Sequence, residues 1–345
     1  MAINLPIVSK FYDKGVKSAE KSLKKFGAFA AKSAAAATAA IGAIAVVSVK
    51  AFGDFDAALN KSISIMGNVS DTLRNDMSDA AREVAKNTTF SAEEAAEAYF
   101  FLASAGLDAE ASIAAMPQVA KFAQAGMFDM ATATDLATDA QSALGLSSDD
   151  AVENLANLTR VTDVFVKANT LANTSVEQLA AAFTSKAGNA LKTVGKSVEE
   201  GAAALAVFAD QGIKGERAGT LLTNTIFGLT DRLKAAPDAF EELGLALFDN
   251  EGKMKNFSDI SEQFTSVLGT MSTEQKLATL SNLGFGKQAR EGILALVGNT
   301  EALVEYEAKL KDAGGTVDEI SQNQLETFNA QMELMKSRLM DVAIE

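Results

Sequence analysis

The chain has 345 residues, of which 45 are acidic and 31 basic, so its formal net charge at pH 7 is −14. Cysteine, histidine and tryptophan are absent, which excludes disulfides, Cys/His zinc sites and every catalytic arrangement that needs a thiol or an imidazole. The acidic balance argues against sequence-specific nucleic-acid binding, because phosphate contacts need clustered Lys and Arg. An alanine-rich composition with three prolines predicts an all-α fold.

Residues 1–67 are predicted to form one long N-terminal helix, basic at first and then apolar. An uncharged stretch, residues 33–49, follows the basic part, and apolar positions three and four apart continue to Met66. A helix of more than 40 residues is longer than ordinary globular helices and needs lateral partners. The basic stripe consists of Lys10, Lys14, Lys17, Lys21, Lys24, Lys25 and Lys32.

The uncharged stretch is a candidate segment for membrane insertion or for self-association. It is at the short end of the roughly 17 to 25 residues that a membrane span needs, and its alanines make it weakly hydrophobic. A helix buried against its own copies or a partner is the competing interpretation, and an ordinary core helix is the third. The residues assigned to this segment are Ser33, Ile41, Ile44, Val46, Val47 and Val49.

Residues 68–298 are predicted to form a compact domain of about nine or ten helices. Glycines stand where helices end, and Pro117 and Pro237 fit the first turns of new helices. Residues 245–255 are the exception, because Asp249-Asn250-Glu251-Gly252 indicates a short hairpin. The capping boxes predicted to start helices are Ser91-x-x-Glu94, Thr174-x-x-Glu177, Ser197-x-x-Glu200 and Ser272-x-x-Gln275. The helix-ending glycines are Gly106, Gly126, Gly145 and Gly212.

Residues 299–345 form the third predicted segment. Gly314-Gly315 breaks the helical pattern, and Thr316-x-x-Glu319 is predicted to cap a final helix. This helix has no stop signal before Glu345, so we expect it to be open-ended and the chain to continue. Its predicted apolar face comprises Leu325, Phe328, Met332, Met335 and Leu339.

Motifs that could carry chemistry have simpler structural explanations. Gly195-Lys196-Ser197 fits a relaxed phosphate-loop pattern, but the first glycine is missing and the preceding residues have helical periodicity instead of forming a strand. Ser197 is better explained as a helix N-cap. Asp249-x-Glu251-Gly252 lacks the ligand series of a calcium loop, and the paired carboxylates fall at helix starts or on polar faces. We therefore predict no catalytic, cofactor-binding or metal site, and no enzyme activity.

Residues 208–252 are the part of the chain least explained by composition. Gly212 and Gly215 bracket a break between two helical patterns. The small residues Gly215, Ala218 and Gly219 predict close packing of the second helix against a neighbour. A buried face is predicted from the helical spacing of Leu221, Leu222, Ile226 and Leu229.

This stretch resembles the core region of phage tail tape measure proteins. That family's pattern runs Gly-Ile-x-Gly-(Ser/Glu)-Arg-Ala-Gly-Thr, then a leucine-bearing helix, a Leu-Gly turn and an Asp-x-x-Gly turn, and the resemblance extends over about residues 52–298. No single motif is diagnostic, but their order and spacing are. The residues that match are Phe90, Ser91, Gly106, Gly212, Gly215, Arg217, Ala218, Gly219, Thr220, Gly244, Gly252, Phe285 and Gly286.

The resemblance implies a structural protein of the phage tail. Such a protein sets tail length, templates assembly of the tail tube from within its lumen, and leaves before the DNA on ejection. The implied partners are the tail tube protein, the tail tip or baseplate hub, tail assembly chaperones, further copies in a small bundle and a host membrane on ejection. The implied locations are the lumen of the tail tube in the virion and the host cytoplasm during assembly.

Two other classes of protein stay open at the level of sequence. A helical pore-forming or membrane-inserting effector would use residues 33–49 as its inserting segment. An enzyme delivered with the tail would need a lytic domain beyond Glu345. A neighbouring tube gene and chaperone genes would favour the tape measure, whereas membrane leakage caused by the purified protein alone would favour the effector.

Overall fold

A computed structural model describes residues 37–344, with side chains from Lys50 onwards except those of 328, 336, 339, 340 and 342–344. Within these residues the regular structure is helical, and the only β pairing is one antiparallel bridge between Phe248 and Met254. The all-α prediction is confirmed. The bridge lies in the stretch predicted as a hairpin, around a turn in which Asp249 N–H donates to the Lys253 carbonyl at 2.9 Å.

The helices are numbered here in chain order. The first five are α1 (Ala37–Met66), α2 (Asp71–Asn87), α3 (Ala92–Ser104), α4 (Ala109–Gly126) and α5 (Met130–Ala143). The next six are α6 (Ala151–Leu171), α7 (Val176–Ala182), α8 (Gly188–Thr193), α9 (Val198–Asp210), α10 (Gly215–Ala235) and α11 (Pro237–Glu242). The last six are α12 (Phe257–Leu268), α13 (Thr273–Asn282), α14 (Lys287–Leu296), α15 (Thr300–Lys311), α16 (Thr316–Leu325) and α17 (Phe328–Ile344). A π-helical turn, Phe183–Ala187, joins α7 to α8.

The described chain divides into two compact units. The first comprises residues 37–124, 129–131 and 321–344, and the second comprises residues 125–128 and 132–320. These units do not follow the boundaries of the three predicted segments, 1–67, 68–298 and 299–345. That three-segment division stays a prediction about domains.

In the first unit, α3 packs along α1, and α17 packs on both α1 and α2. Leu59, Met77, Tyr99 and Leu102 are buried in its core. The Tyr99 hydroxyl donates to the Met77 carbonyl at 3.1 Å, which satisfies the polar atom of a fully buried ring. Helix α1 ends at Met66, and Gly67 follows it with a φ of +83°, as the sequence predicts. The lysine stripe of the predicted long helix lies outside the described residues.

In the second unit, α9 lies at the centre. Every residue of α9 from Val198 to Ala209 is buried, and α6, α10 and α15 pack around it. A helix that is buried on all sides has no solvent-facing stripe, which explains the run of alanines in its sequence. The Phe165 and Phe183 rings pack beside it with centroids 5.1 Å apart.

Some predicted helix boundaries are confirmed and others are wrong. Ser91 and Ser272 form complete capping boxes, and Pro237 is the first residue of α11. Ser175, not Thr174, caps α7, with Gln178 as its reciprocal partner. Pro117 lies inside α4 and does not start a helix. The described residues between 70 and 297 form more helices than the nine or ten expected, because several of them are only six or seven residues long.

The C-terminal segment also differs from its prediction. The single final helix is two helices, α16 and α17, separated at Glu326 and Thr327. Thr316 is the first residue of α16 and its hydroxyl donates back to the Ala313 carbonyl at 2.6 Å, so it does not act as the predicted capping-box residue. Asp163 takes that role from α6: its carboxylate accepts from the N–H groups of Gly315 at 2.9 Å and Val317 at 2.8 Å.

Candidate functional site: the motif helix and its neighbours

The turn between α9 and α10 depends on two glycines. Gly212 and Gly215 have φ angles of +80° and +60°, a region that L side chains rarely adopt. The N–H of Gly212 donates to the Ala209 carbonyl, and the N–H of Ile213 donates to the Phe208 carbonyl, both at 2.9 Å. These two bonds close the C-terminal end of α9. The close packing predicted at Gly215 is absent, since a Cβ there would meet no atom within 4 Å; the backbone angle explains the glycine.

Gly219 is where α10 approaches its neighbour most closely. A Cβ at this position would lie 2.2 Å from the Ala182 carbonyl oxygen and 2.7 Å from the Ser185 hydroxyl. Ala182 ends α7, and Ser185 lies in the π-helical turn, so the backbone of α10 comes close to the backbone at the end of α7 here. Ala218 beside it is also buried. Close packing at Ala218 and Gly219 is therefore confirmed.

The other side of α10 packs against α14 through small residues on both helices. A Cβ added to Gly228 would lie 2.6 Å from the Ala289 Cβ, and one added to Gly292 would lie 1.8 Å from the Thr225 hydroxyl oxygen. Both glycines are helical, so here the absence of a side chain is used for close approach. The predicted apolar face of α10 is confirmed, because Leu221, Leu222, Ile226 and Leu229 are all buried.

Polar side chains join the solvent-facing rims of α10 and α14. Arg217 donates to Glu291 at 2.7 Å, and Asn224 donates to Gln288 at 2.8 Å. The Arg217 side chain is 68% exposed, so its ion pair contributes little stability. Arg217, Gln288 and Glu291 border an open cleft of about 290 Å³ that Thr220 also lines. Its polar rim carries no catalytic pair.

The other residues of the family pattern serve turns, caps and core contacts. Gly106, Gly244 and Gly252 have φ angles of +93°, +69° and +78°; the first two follow helix ends, and Gly252 lies in the turn between the bridged residues Phe248 and Met254. Ser91 caps α3, and Gly286 is the N-cap residue of α14. Phe90 is half-buried in the first unit.

Phe285 ties the end of the family pattern to the core of the second unit. Its buried ring lies between the rings of Phe240 and Phe264, with centroids 6.0 and 6.2 Å away. α10 and α14 pack in opposite directions, so Phe285 lies beside Gly228 in the second half of α10, while Arg217 at the start of α10 faces Glu291. Phe90, Ser91 and Gly106 belong to the other unit.

The phosphate-loop-like stretch opens onto a larger cleft of about 1190 Å³ in the second unit. Lys196 is buried there, with its Nζ 2.9 Å from Glu200 Oε1 and 5.6 Å from the centre of the Phe257 ring. The same Glu200 oxygen accepts from the Phe257 N–H at 2.7 Å. Ser197 accepts from the Glu200 N–H at 3.2 Å and caps α9, as predicted. The lysine is thus committed to an internal ion pair.

Two adjacent glutamates at the start of α9 have pKa values shifted in opposite directions. Burial raises the pKa of Glu200, and the charge of Lys196 opposes that rise only in part. Burial would likewise raise the pKa of Glu199, but the hydrogen bonds from Arg160, at 2.6 and 2.7 Å, hold it below its usual value. Both carboxylates therefore have structural partners within the fold.

Two searches of the described residues bear on other functions. No group of three or more Asp, Glu, His or Cys side chains there could hold a metal ion. No helix within that part of the chain is long and apolar enough to cross a membrane. Ser33 lies outside the described residues, as do the side chains of Ile41, Ile44, Val46, Val47 and Val49. Their assignment to membrane insertion or self-association stays a prediction, and so does the pore-forming alternative.

Helix packing, turns and caps account for the residues of the family pattern within an all-α fold. The chain belongs to the phage-related minor tail protein family, whose model matches residues 78–286. The resemblance to tape measure proteins is thereby confirmed.

Two curated relatives are named as tape measure proteins. A tape measure protein of Pneumococcus phage Dp-1 is 28% identical over 298 residues, which cover 86% of this chain and 25% of the relative. A probable tape measure protein of Escherichia phage P2 is 27% identical over 247 residues, covering 70% of this chain and 29% of the relative. The chain thus spans about a quarter of the length of these relatives. No solved structure matches it.

Several structural contacts were not found from the sequence. The π-helical turn, Phe183–Ala187, has no sequence signal that separates it from an α-helix. Asp163 and Arg82 have partners more than 150 residues away, Val317 and Asp341. The only available signal was a charged residue at a buried helical position, which Asp163 shows within the otherwise apolar face of α6.

Proposed function

We propose that this chain is a folded part of a phage tail tape measure protein and has a structural role in tail assembly. The family match over residues 78–286 carries the proposal. The whole protein sets tail length, templates the tail tube from within its lumen and leaves before the DNA. It acts with the tube protein, the tail tip or baseplate hub, the assembly chaperones and copies of itself. The net charge of −14 suits a protein that lies close to DNA without binding it.

Within that function, the described region acts as a folded module and not as an extended ruler. An α-helix rises about 1.5 Å per residue, so chain length converts to tube length only where the chain runs along the tube. The described helices instead fold back into two compact units. Glycine contacts such as Gly219 on Ala182 oxygen leave little room for sliding. The module serves docking or initiation, or it rearranges before the tube is complete.

The experiment is tail length by electron microscopy in virions whose tail gene carries in-frame deletions within residues 70–298. Absent or malformed tails are the expected result, because a deletion destroys the packed units. Tails shortened by about 1.5 Å or more per deleted residue would instead make this region part of the ruler. Normal tails of unchanged length would contradict a structural role for this region.

The segment 33–49 extends the proposal to the host envelope. Its weakly hydrophobic sequence suits passage into a membrane when the protein leaves the tail. A peptide spanning residues 24–54 is expected to partition into liposomes. No partitioning, together with efficient crosslinking of the same segment between copies, would instead assign it to self-association.

A further inference from the structure

The attachment of α17 to the first unit has an unusual composition. Among its described side chains, four are buried and recur every three or four residues, so they form one narrow stripe where α17 packs on α1 and α2. Only one of the four is a large apolar residue. The buried stripe consists of Ala330, Leu334, Ser337 and Asp341. We call it the α17 seam.

Two larger apolar side chains among those described for α17 point away from this seam. Met332 and Met335, which the sequence predicted on the apolar face of the final helix, are 44% and 50% exposed. The prediction is therefore wrong for these two methionines, which lie opposite the seam, while the side chains of Phe328 and Leu339 from the same predicted face lie outside the described residues. Because hydrophobic stabilisation is roughly proportional to the apolar area buried, the seam gains little from it.

Ionic and polar contacts hold the end of the seam instead. Asp341, whose side chain is 7% exposed, accepts from Arg82 Nε at 2.5 Å, and its other oxygen lies 3.4 Å from Lys86 Nζ. Arg338 donates in return to the Lys86 carbonyl at 3.2 Å. We call these contacts the Asp341 clasp. A buried carboxylate that loses its cation is strongly unfavourable, so the clasp is either intact or open with α17 displaced.

The rest of the first unit does not depend on α17 in the same way. α1 and α3 share an apolar core, and the Ser62 hydroxyl donates to the Ala96 carbonyl at 2.7 Å between them. Arg74 joins α2 to α1 through Asp56 at 2.8 Å and Asn60 at 2.5 Å. None of these contacts includes a residue of α17.

We propose that α17 is a latch helix, which detaches from α1 and α2 as a unit when the Asp341 clasp opens while the rest of the first unit stays folded. Local opening of this kind is expected where few apolar contacts hold a helix, and among the described side chains of α17 the buried apolar ones are Ala330 and Leu334. The use of the latch, as a first step from the compact form towards another arrangement in the tail, rests on the proposed function. The opening itself is a property of the purified chain.

The absence of native cysteine allows a direct test. Ser337→Cys places a single thiol in the buried seam, and its rate of labelling by a thiol reagent reports detachment of α17. Ser62→Cys, in a separate chain, reports opening of the α1–α3 core. Arg82→Ala is expected to raise the labelling rate at position 337 by about tenfold or more and to leave position 62 within about twofold.

Arg74→Ala is the matched control, because it also removes an arginine of α2 that pairs with an aspartate of another helix. It is expected to leave the rate at position 337 within about twofold, and Asp341→Asn is expected to act like Arg82→Ala. Equal acceleration at positions 62 and 337 would mean global unfolding, and no acceleration at 337 would mean that the clasp does not hold α17. Either outcome overturns the latch, whatever deletions do to tail length.

Discussion

Helices α10 and α17 are attached to their units by opposite means. α10 buries four large apolar side chains and meets α7 and α14 through glycines that leave no room for a methyl group. Among its described side chains, α17 buries one leucine, and it depends on a carboxylate held between Arg82 and Lys86. Close steric packing of the kind seen at α10 allows one arrangement, because protein interiors are as dense as crystals. A polar clasp allows two arrangements, one closed and one in which its charged groups are solvated. The comparison predicts a rigid motif helix and a detachable C-terminal helix.

The largest expected effect is on the apolar face of α10. Leu222→Ala should lower the free energy of unfolding by about 3–4 kcal/mol, since Leu222 is fully buried and its loss leaves a cavity. Urea denaturation followed by circular dichroism measures the change. Leu277→Ala, at a side chain that is largely exposed, is the control and should change stability by less than about 1 kcal/mol. Similar losses in the two variants would contradict the assignment of this face as core.

A smaller loss is expected from one added methyl group. Gly219→Ala should cost about 2–3 kcal/mol, because its Cβ meets the Ala182 carbonyl and the backbone must move. Gly53→Ala is the matched control: Gly53 is also helical, but its Cβ would meet nothing, so this change should stabilise by about 0.5–1 kcal/mol. The test is that the two substitutions change the free energy of unfolding in opposite directions. If both substitutions stabilise in thermal denaturation, α10 is not held by close contact.

The ion pair between Glu199 and Arg160 in the second unit should have an effect of intermediate size that depends on pH. Glu199 has a lowered pKa, so its contribution is present above the unfolded value of about 4.5 and is lost as pH falls through the folded pKa. Glu199→Gln should therefore cost about 1–2 kcal/mol at pH 7, and its difference from the unsubstituted chain should shrink below pH 4.5.

Glu200 has a raised pKa, which reverses the sign. Its effect favours the folded state below about pH 4.5 and is lost as pH rises through the folded pKa. Glu200→Gln removes this pH dependence but leaves the buried Lys196 ammonium without its carboxylate, so at pH 7 it should cost more than Glu199→Gln, whose partner Arg160 is partly exposed. Urea midpoints measured between pH 3 and pH 7 give both comparisons, and a smaller loss at pH 7 for Glu200→Gln would contradict them.

The smallest expected effect is on the outer face of α17. Met335→Lys should change the free energy of unfolding by less than about 0.5 kcal/mol, because that side chain is half exposed. Leu334→Lys, one residue away in the seam, would place a charge in a buried position and should detach α17. Limited proteolysis of the C-terminal segment distinguishes the two. Equal protection of both variants would mean that the seam is not the attachment.

The same comparison explains what the sequence could predict. The buried face of α10 and the close contact at Gly219 follow from local spacing and residue size, so a single sequence contains them. The seam of α17 cannot be predicted in this way. The helical spacing of Met332 and Met335 indicates a buried face on the wrong side, whereas the partners that determine burial, Arg82 and Lys86, lie about 250 residues earlier.

Helix caps also include some that the local sequence predicts and others that it does not. Ser91 and Ser272 are each followed three positions later by an acidic or amide residue. Both capping boxes were predicted correctly from this local pattern. Thr174 and Ser175 are adjacent hydroxyl residues with Glu177 and Gln178 in register, so sequence alone did not separate them. Glu200 fitted a capping box behind Ser197, but its carboxylate instead binds Lys196 and the N–H of Phe257, a long-range demand that outweighs the local pattern.

The most direct test of the account is tail assembly with Gly219→Ala and Gly53→Ala in virions whose tail gene encodes this chain. If the region acts as a tightly packed module, Gly219→Ala should give few or malformed tails, while Gly53→Ala should give normal tails of unchanged length by electron microscopy. Normal numbers of full-length tails with Gly219→Ala, despite a measured loss of stability in the purified chain, would contradict the claim that the folded module is what the tail uses.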